Sequence, residues 1–535
     1  MLADRPAPTG DLTDRERALL RRYCTNVDRR VFALRNLPEV VRGALFSRYS
    51  RTEKSLRRVL LDEFLTGDAP HPGSLPTEGR ESSEDPVDAD RAEDFYQRVL
   101  VGYGDDSVAE LAGAHVAVER VSNLAAKALE DARIGISPLE KSTRYVRFDR
   151  PGPDGRFAYH RGPELAHLAY EPAMEALFAA YSELVMPLTE RIREAHPREP
   201  DETDRAWKSA TRARALDLLR GLLPAATLTN LGLYGNGRAF EYLLTKLHAS
   251  ELPECRELAG ELHAELSQVI PAFVKRALDD KYGGPAAAYL AEARRRVAAL
   301  AARTGGAGPA AAPEVRLVEH DADAERRVVA AALFAHADVP LEALGAEDVE
   351  AVLRALMDGR TNRRHRAPRA LEHVQYTFEI TANFGAYRDL QRHRMLTQER
   401  QLLGTALGYD TPPDLARYGV EARFREAVEQ AAEAHRALEA DLGPALAQYA
   451  VPLAFRLRWY FRISLREVYH LCELRTGVQG HPDYRHVAQE LFRRVQEVHP
   501  RLAAYARFVD MSPGDELERR QSERRIDQKL ASLGE

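Results

Sequence analysis

Cysteine is scarce in this sequence, and its few cysteines are not placed for the chemistry that cysteine usually serves. Only Cys24, Cys255 and Cys472 occur among 535 residues, far apart and without a C-x-x-C pair. Neither a disulfide framework nor a cysteine zinc site is indicated, because both need paired or closely spaced thiols. We expect no bound metal, and we expect a reducing cytoplasm as the compartment.

Long apolar runs and an excess of positive charge are also missing. No stretch of about 20 apolar residues occurs, and the N-terminus lacks a basic segment joined to an apolar one, so neither secretion nor membrane insertion is predicted. The net charge of −6 gives no sign of the basic face that nucleic-acid binding usually needs. We therefore expect an anionic ligand to be small and held by a local arginine cluster.

The residues that are abundant favour a soluble, helix-rich protein. Apolar residues make up 44% and charged residues 30% of the chain, and alanine, leucine, arginine and glutamate are frequent. A chain of this length exceeds what one hydrophobic core supports. The composition predicts two or three domains and a helix-rich α+β fold.

The sequence predicts a linker between two domains. The stretch from Thr304 to Glu314 combines glycine, proline and alanine without periodicity, which is typical of linkers. We place an N-terminal domain at 1–300, the linker at 301–313 and a C-terminal domain at 314–535. Residues 67–92 are rich in proline, glycine, serine and acid, and predict a disordered insertion. The tail from Gly514 predicts a polar helix with a solvated face.

Apolar periodicity places the main secondary-structure elements. Residues 30–65 predict amphipathic helix broken near Pro38, because apolar positions recur at steps of three and four. Strands are predicted at His115–Val121 and at Val374–Phe384, where β-branched and aromatic residues concentrate. The segment after Glu314 predicts a strand followed by a helix.

The two halves form a hidden repeat. Setting Glu119 against Glu379 and running forward without gaps pairs Asn123 with Asn383, Arg133 with His393, Ser137 with Thr397, and Glu140 with Arg400. Further on, Pro224 precedes Asn236-Gly237-Arg238 by the interval at which Pro452 precedes Ser464-Leu465-Arg466. The shared order of these matches indicates a duplication.

The repeated region carries a recognisable motif. The first half contains EDARIGISPLEKSTRYVRFD and the second RDLQRHRMLTQERQLLGTALGY. Together they resemble the signature of flavin-dependent thymidylate synthases, R-H-R-x-x-S-x-N-E-x-S-x-R-Y. The positions that the first half keeps are Ser137, Glu140, Ser142, Arg144 and Tyr145. Those that the second half keeps are Arg392, His393 and Arg394, with Thr397 at the serine position; neither half has the asparagine.

The resemblance extends beyond the signature and implies roles for particular residues. It implies FAD binding by Arg392, His393, Arg394, Glu372, His373, Ser107, Glu110, Asn236 and Arg238. It implies substrate binding by Ser142, Arg144, Arg256 and Arg485, and catalytic roles for Glu140, Ser142, Arg144 and Tyr145. Arginine suits such ligands because its planar fork makes paired, charge-assisted hydrogen bonds to phosphate esters.

The family's reaction gives an expected function. It moves a methylene group from methylenetetrahydrofolate onto dUMP and reduces it with hydride from FADH2, NADPH recharging the flavin, without an attacking cysteine. Because the family works as a homotetramer, a chain with two such domains is expected to dimerise into a pseudo-tetramer. Each half keeps what the other has lost, so we predict one composite site built from both halves.

Other interpretations stay open at this point. The substrate is dUMP or another pyrimidine nucleotide, and a degenerate homologue could bind flavin or nucleotide without turnover. A nucleic-acid-binding helical repeat is disfavoured by the charge. Locally, Arg392 to Arg394 compete with a solvated helix end and with a chance tripeptide at Arg364 to Arg366. The loop from Glu140 to Tyr145 competes with a helix cap, and Asn236 to Arg238 with a glycine-rich turn.

Overall fold

The fold is helix-rich α+β, as the composition predicts. The computed structural model describes residues 12–37, 41, 45–46, 49, 52–65, 109–110, 113–304, 314–344, 348–514, 517 and 519–533. Within these residues lie two four-stranded antiparallel sheets, each packed against helices. The predicted insertion at 67–92 lies outside the described residues. Among the helices that are described, none is both long and apolar enough to cross a membrane.

The helices of the described residues are numbered in chain order. They are α1 (Asp14–Leu20), α2 (Leu56–Val59), α3 (Asn123–Glu130), α4 (Tyr170–Ala195), α5 (Asp204–Leu219), α6 (Gly237–His248), α7 (Pro253–Leu266), α8 (Pro271–Val274), α9 (Gly283–Ala301), α10 (Ala324–Leu333), α11 (Val349–Met357), α12 (Phe384–Leu390), α13 (Asp414–Arg417), α14 (Glu421–Leu442), α15 (Pro444–Ala447), α16 (Leu465–Arg475), α17 (Pro482–Val498), α18 (Pro500–Ala503) and α19 (Arg520–Leu533). A π-helix, Leu60–Phe64, follows α2 directly.

The first sheet is covered on both faces. Its strands β1 (Val31–Leu34), β2 (Gly113–Ser122), β3 (Ile136–Glu140) and β4 (Leu228–Asn236) lie in the order β1-β2-β4-β3. One face packs in a core with residues of α3, α6 and α7. The other packs against apolar residues of the N-terminal segment, among them Phe46 and Leu56. The prediction of helix from residue 30 is therefore wrong at β1, which pairs with β2 along its whole length.

The second sheet is apolar on one face only. Its strands β5 (Glu314–His320), β6 (Gln375–Asn383), β7 (Thr397–Arg400) and β8 (Arg456–Ser464) lie in the order β5-β6-β8-β7. Phe378, Ile380 and Phe461 are buried, whereas Tyr460 is 49% exposed on the opposite face. This alternation is the reason that the sequence predicts β6 well, and the predicted strand there is confirmed.

The chain divides into two compact units, each with one sheet. The first unit comprises Met1–Val146, Ala158–Ala166 and Ala226–Gly306, and the second comprises Arg147–Phe157, His167–Ala225 and Ala307–Glu535. Helices α4 and α5 thus belong to the second unit, where α4 packs against α14. Compact units and evolutionary repeats need not share boundaries, so the domain ranges 1–300 and 314–535 stay a prediction.

Sheet register corrects part of the gapless alignment of the halves. Asn236 and Ser464 are equivalent, since each ends a central strand and caps the next helix. Ser122 lies opposite Leu228, and Asn383 lies opposite Arg456. Leu228 and Arg456 each lie eight residues before the cap at the end of their own strand. Ser122, rather than Asn123, is thus the counterpart of Asn383, and each caps the helix that follows.

Before Ser122, a β-bulge displaces the register of the two halves by one further residue. The pairing of β2 with β4 shifts between Val118 and Val121, which inserts an extra residue into the first half. The pairing of Glu119 with Glu379 is therefore wrong as well. Further along, Ser137 lies opposite Tyr234 as Thr397 lies opposite Arg462, so the predicted equivalence of Ser137 and Thr397 is confirmed.

Candidate functional site

The R-H-R tripeptide of the second half lies in the turn between α12 and β7. Arg392 and Arg394 are exposed, whereas His393 between them is 4% exposed. The backbone therefore presents two guanidinium groups at the surface and directs the imidazole inward. A solvated helix end would not require the central residue to be buried.

Two residues of α16 hold the buried His393 ring. The Nε of Arg475 donates to His393 Nε2 at 3.0 Å, and His393 Nδ1 lies 2.8 Å from Glu467 Oε1. Arginine only donates, so Nε2 accepts and the ring proton is on Nδ1, from which it is donated to Glu467. Burial lowers the pKa of His393 to about 4, which keeps the ring neutral.

Glu467 is ionised opposite this ring. Burial by itself raises the pKa of a carboxyl, but hydrogen bonds from His393 and His470 lower the Glu467 pKa to about 2. Although these three side chains are close enough to hold a metal ion, the donor set does not fit one. A metal-bound histidine donates its other ring N–H to a carboxylate or carbonyl, whereas His393 Nε2 faces the cation of Arg475.

The first half lacks these anchors as well as the tripeptide. Counting from the equivalent caps Asn236 and Ser464, Ala239 takes the position of Glu467 and Leu247 that of Arg475. The preceding turn packs directly on the small side chain, since a Cβ at Gly135 would lie 2.6 Å from the Ala239 Cβ. Glycine permits this close approach because it has no Cβ, and it also tolerates the left-handed φ of +83° at this position.

The loop after β3 forms a turn in the first unit. Ser142 Oγ accepts from the backbone N–H of Arg144 at 3.3 Å, and Ser142 O accepts from the N–H groups of Tyr145 and Val146. No helix begins at this loop, so the helix-cap alternative is wrong. Arg144 is 9% exposed and Tyr145 39% exposed. The turn thus places a hydroxyl, a cation and an aromatic ring together.

Glu140, predicted to be catalytic, is deeply buried at the end of β3. Its Oε2 lies 3.1 Å from the Nζ of Lys127, which also pairs with Glu130. All three side chains are nearly inaccessible. The catalytic role of Glu140 stays a prediction, and it would require this carboxylate to leave its lysine.

An ion pair recurs at the same place in both halves. Arg238 in the first turn of α6 lies 2.8 Å from Glu110, and Arg466 in the first turn of α16 lies 2.5 Å from Glu372. The family resemblance predicts Glu110, Arg238 and Glu372 as FAD contacts, but it does not predict the ion pairs. His373 is exposed beside Glu372, and Ser107 lies outside the described residues.

The side chains of the remaining predicted contact residues form hydrogen bonds with nearby backbone groups. Asn236 accepts from the N–H of Ala239 at 2.9 Å as the cap of α6. Arg256 is exposed and donates to the carbonyls of Ser250 and Glu251. Arg485 is buried and donates to the carbonyls of Thr476 and Ser512. Their ligand-binding roles stay predictions.

The competing tripeptide at Arg364 to Arg366 differs from the motif in one respect. All three of its residues are exposed, including His365, so exposure of arginine does not separate the two tripeptides. Only His393 is buried and held by partners. Its partners, Glu467 and Arg475, are not among the predicted site residues, because neither belongs to the signature and they lie 74 and 82 positions further along the chain.

Comparison with known proteins shows which family the chain belongs to. The family model described as thymidylate synthase complementing protein matches residues 69–272 and again residues 316–501. A UPF0159 protein from Chlamydia muridarum is 44% identical over 519 residues, covering 95% of this chain and 97% of that protein. A UPF0159 protein from Thermoplasma acidophilum is 35% identical over 504 residues, covering 88% and 95%.

A shorter relative matches only part of the chain. A flavin-dependent thymidylate synthase from Geobacter sulfurreducens is 31% identical over 215 residues, which cover 38% of this chain and 88% of that protein. One such protein thus corresponds to less than half of this chain, in agreement with the doubled family match. The chain belongs to the thymidylate synthase complementing protein family, that of the flavin-dependent thymidylate synthases, in a tandem two-domain form.

Proposed function

We propose that this protein is a FAD-dependent enzyme that methylates a pyrimidine nucleotide at C5, converting dUMP to dTMP with methylenetetrahydrofolate and NADPH. The observation that carries the proposal is the R-H-R turn, where Arg392 and Arg394 are exposed around a buried, doubly held His393. Because two side chains hold the family motif in place, we favour a protein that still binds FAD over a degenerate homologue. Family membership supplies the reaction class.

The residues of the turn fit a flavin dinucleotide. Its diphosphate is an anion, and two exposed guanidinium groups on one short turn match that charge. Arg392 and Arg394 would hold it, while the neutral His393 adds no charge of its own. When bound, the flavin supplies the hydride that reduces the transferred carbon.

The turn after β3 would hold the nucleotide. The Ser142 hydroxyl can donate to a phosphate oxygen, and the Arg144 guanidinium can neutralise its charge. The partly exposed ring of Tyr145 offers a face for the pyrimidine. This assignment uses no cysteine, and Cys24, Cys255 and Cys472 are all buried.

The divided signature leads us to propose that both halves serve one reaction. The first half supplies Ser142, Arg144 and Tyr145, and the second supplies Arg392 and Arg394. Neither half retains both parts of the motif. A substitution in either part should therefore abolish turnover, although each should affect the binding of a different ligand.

An absorbance spectrum of the purified protein, followed by titration with dUMP, tests the proposal. We expect a flavin band that shifts as dUMP is added, because hydride transfer from the flavin to the carbon on the pyrimidine requires the two to lie in contact. If the band shifts with another pyrimidine nucleotide and not with dUMP, the assigned substrate changes and the reaction class stays. A protein that binds neither FAD nor nucleotide would contradict the proposal.

A further inference from the structure

We propose that Glu467 is a positioning residue for flavin binding, which holds the R-H-R turn by accepting a hydrogen bond from the Nδ1–H of His393. The inference rests on the proposed function, because it assigns FAD to Arg392 and Arg394. Glu467 itself touches no ligand in this proposal and acts only through the histidine.

The geometry of the turn makes the hydrogen bond consequential. His393 occupies the centre of the tripeptide, so holding its buried ring in place also fixes the backbone between Arg392 and Arg394. Glu467 and Arg475 bind opposite nitrogens of the ring, at 2.8 and 3.0 Å. With both nitrogens engaged, the imidazole has one tautomer and one orientation.

The second half keeps the anchor and the first half lacks it. Ala239 and Leu247 occupy the positions of Glu467 and Arg475 in α6, and the first half has no R-H-R. Other features of the same helices are retained in both halves, including the ion pairs of Arg238 and Arg466. Glu467 thus occurs in the half that has the R-H-R tripeptide, and its counterpart is absent from the half that shares the fold but lacks the tripeptide.

Removing the acceptor has a defined physical cost. Glu467→Ala leaves the Nδ1–H of His393 buried without a partner, which is unfavourable and drives the ring to reorient. The two arginines would then lose their fixed separation, so binding FAD would require them to be ordered again. Glu467→Gln keeps an oxygen that accepts the same proton.

The test compares three variants of the full-length protein by titration with FAD. Glu467→Ala should weaken FAD binding about tenfold, and Glu467→Gln should bind within about threefold of the unchanged protein. Glu473→Ala is the matched control, since it removes another buried carboxylate of α16, one that pairs with Arg360. It should lose thermal stability without losing FAD affinity.

A second readout reports on the hydrogen bond itself. The Nδ1 proton of His393 should give a slowly exchanging imidazole signal in the NMR spectrum, present with Glu467→Gln and lost with Glu467→Ala. Unchanged FAD affinity in Glu467→Ala, or an equal loss in Glu473→Ala, would overturn the inference while leaving the proposed function intact. An unchanged protein that binds no FAD would overturn both.

Discussion

Burial separates the three residues of the R-H-R motif by role. Arg392 and Arg394 meet solvent, where they can reach a ligand, and His393 is enclosed by α16. All three are predicted as flavin contacts because they match the R-H-R of the family signature. Which of them faces inward depends on Glu467 and Arg475, which lie 74 and 82 positions further along. Contacts at such separations cannot be read from a single sequence.

The two exposed arginines give the first prediction. Arg392→Ala or Arg394→Ala should weaken FAD binding by tenfold or more, because each removes a charge-assisted contact worth roughly 1.5–3 kcal/mol. Arg364→Ala, in the competing exposed tripeptide, should leave the affinity unchanged. Flavin fluorescence during FAD titration measures all three. Equal losses would mean that the wrong tripeptide is assigned.

The neutral state of His393 gives a prediction for acid. Its pKa is lowered from 6.5 to about 4 by burial, despite Glu467, and with Arg475 and His470 adding to the lowering. As pH falls from 6.5 to 4, the unfolded chain takes up a proton that the folded ring does not. The free energy of unfolding should then fall by up to about 3 kcal/mol. Denaturant unfolding of His393→Asn should show less of this loss, and equal pH profiles would contradict it.

At the scale of elements, the C-terminal helix departs from its predicted solvated state. Helix α19 packs along α5 in the second unit, with Glu523 only 8% exposed. Arg205 pairs with Glu523 and Asp527, and Arg520 pairs with Glu202. The sequence shows the charges but not their partners, because residues 199–209 are more than 300 positions away.

The pairs along α19 predict a salt-dependent contact. The pairs of Arg205 have one solvent-exposed partner, and such pairs contribute about 1 kcal/mol each and are weakened by salt, so the helix should be held less tightly at high ionic strength. Limited proteolysis should remove the tail several times faster in 1 M than in 0.05 M sodium chloride. Arg205→Ala should already show fast cleavage at low salt. A rate independent of both changes would show that apolar packing holds the helix instead.

The sequence predicts the strands β2 and β6 and fails at the short strand β1. Strand β6 alternates buried and half-exposed residues, and its sequence shows that period. All four residues of β1 are buried, and such a short apolar run has the same appearance in a strand and in a helix. The bulge of β2 also escaped prediction, since one inserted residue leaves no compositional trace.

At the scale of the whole molecule, the divided signature predicts a division of ligands. Arg144→Ala should weaken dUMP binding while FAD stays bound, and Arg392→Ala should release FAD first. Both variants should lack turnover. Point variants are better tests than isolated halves, because a cut in the linker separates α4 and α5 from the second unit to which they belong. Full activity in Arg144→Ala would end the idea that both halves serve one reaction.

Assembly is a second prediction at this scale. We expect a homodimer, because the family's tetramer would be rebuilt from two chains with two domains each, and closed two-fold symmetry is the commonest arrangement. The uncovered face of the second sheet, with Tyr460 and Arg458, offers surface for such an interface. Light scattering at micromolar concentration measures the mass. A monomer at that concentration would contradict the expectation.

The most direct test of the central claim is product analysis after incubation with FAD, NADPH, methylenetetrahydrofolate and dUMP. We expect dTMP from the unchanged protein, and none from Arg392→Ala or Arg144→Ala at the same protein concentration. A triple replacement of Cys24, Cys255 and Cys472 by serine should still form dTMP if it folds, since no thiol takes part. A flavin-loaded, folded protein that methylates no pyrimidine nucleotide would contradict the proposed function.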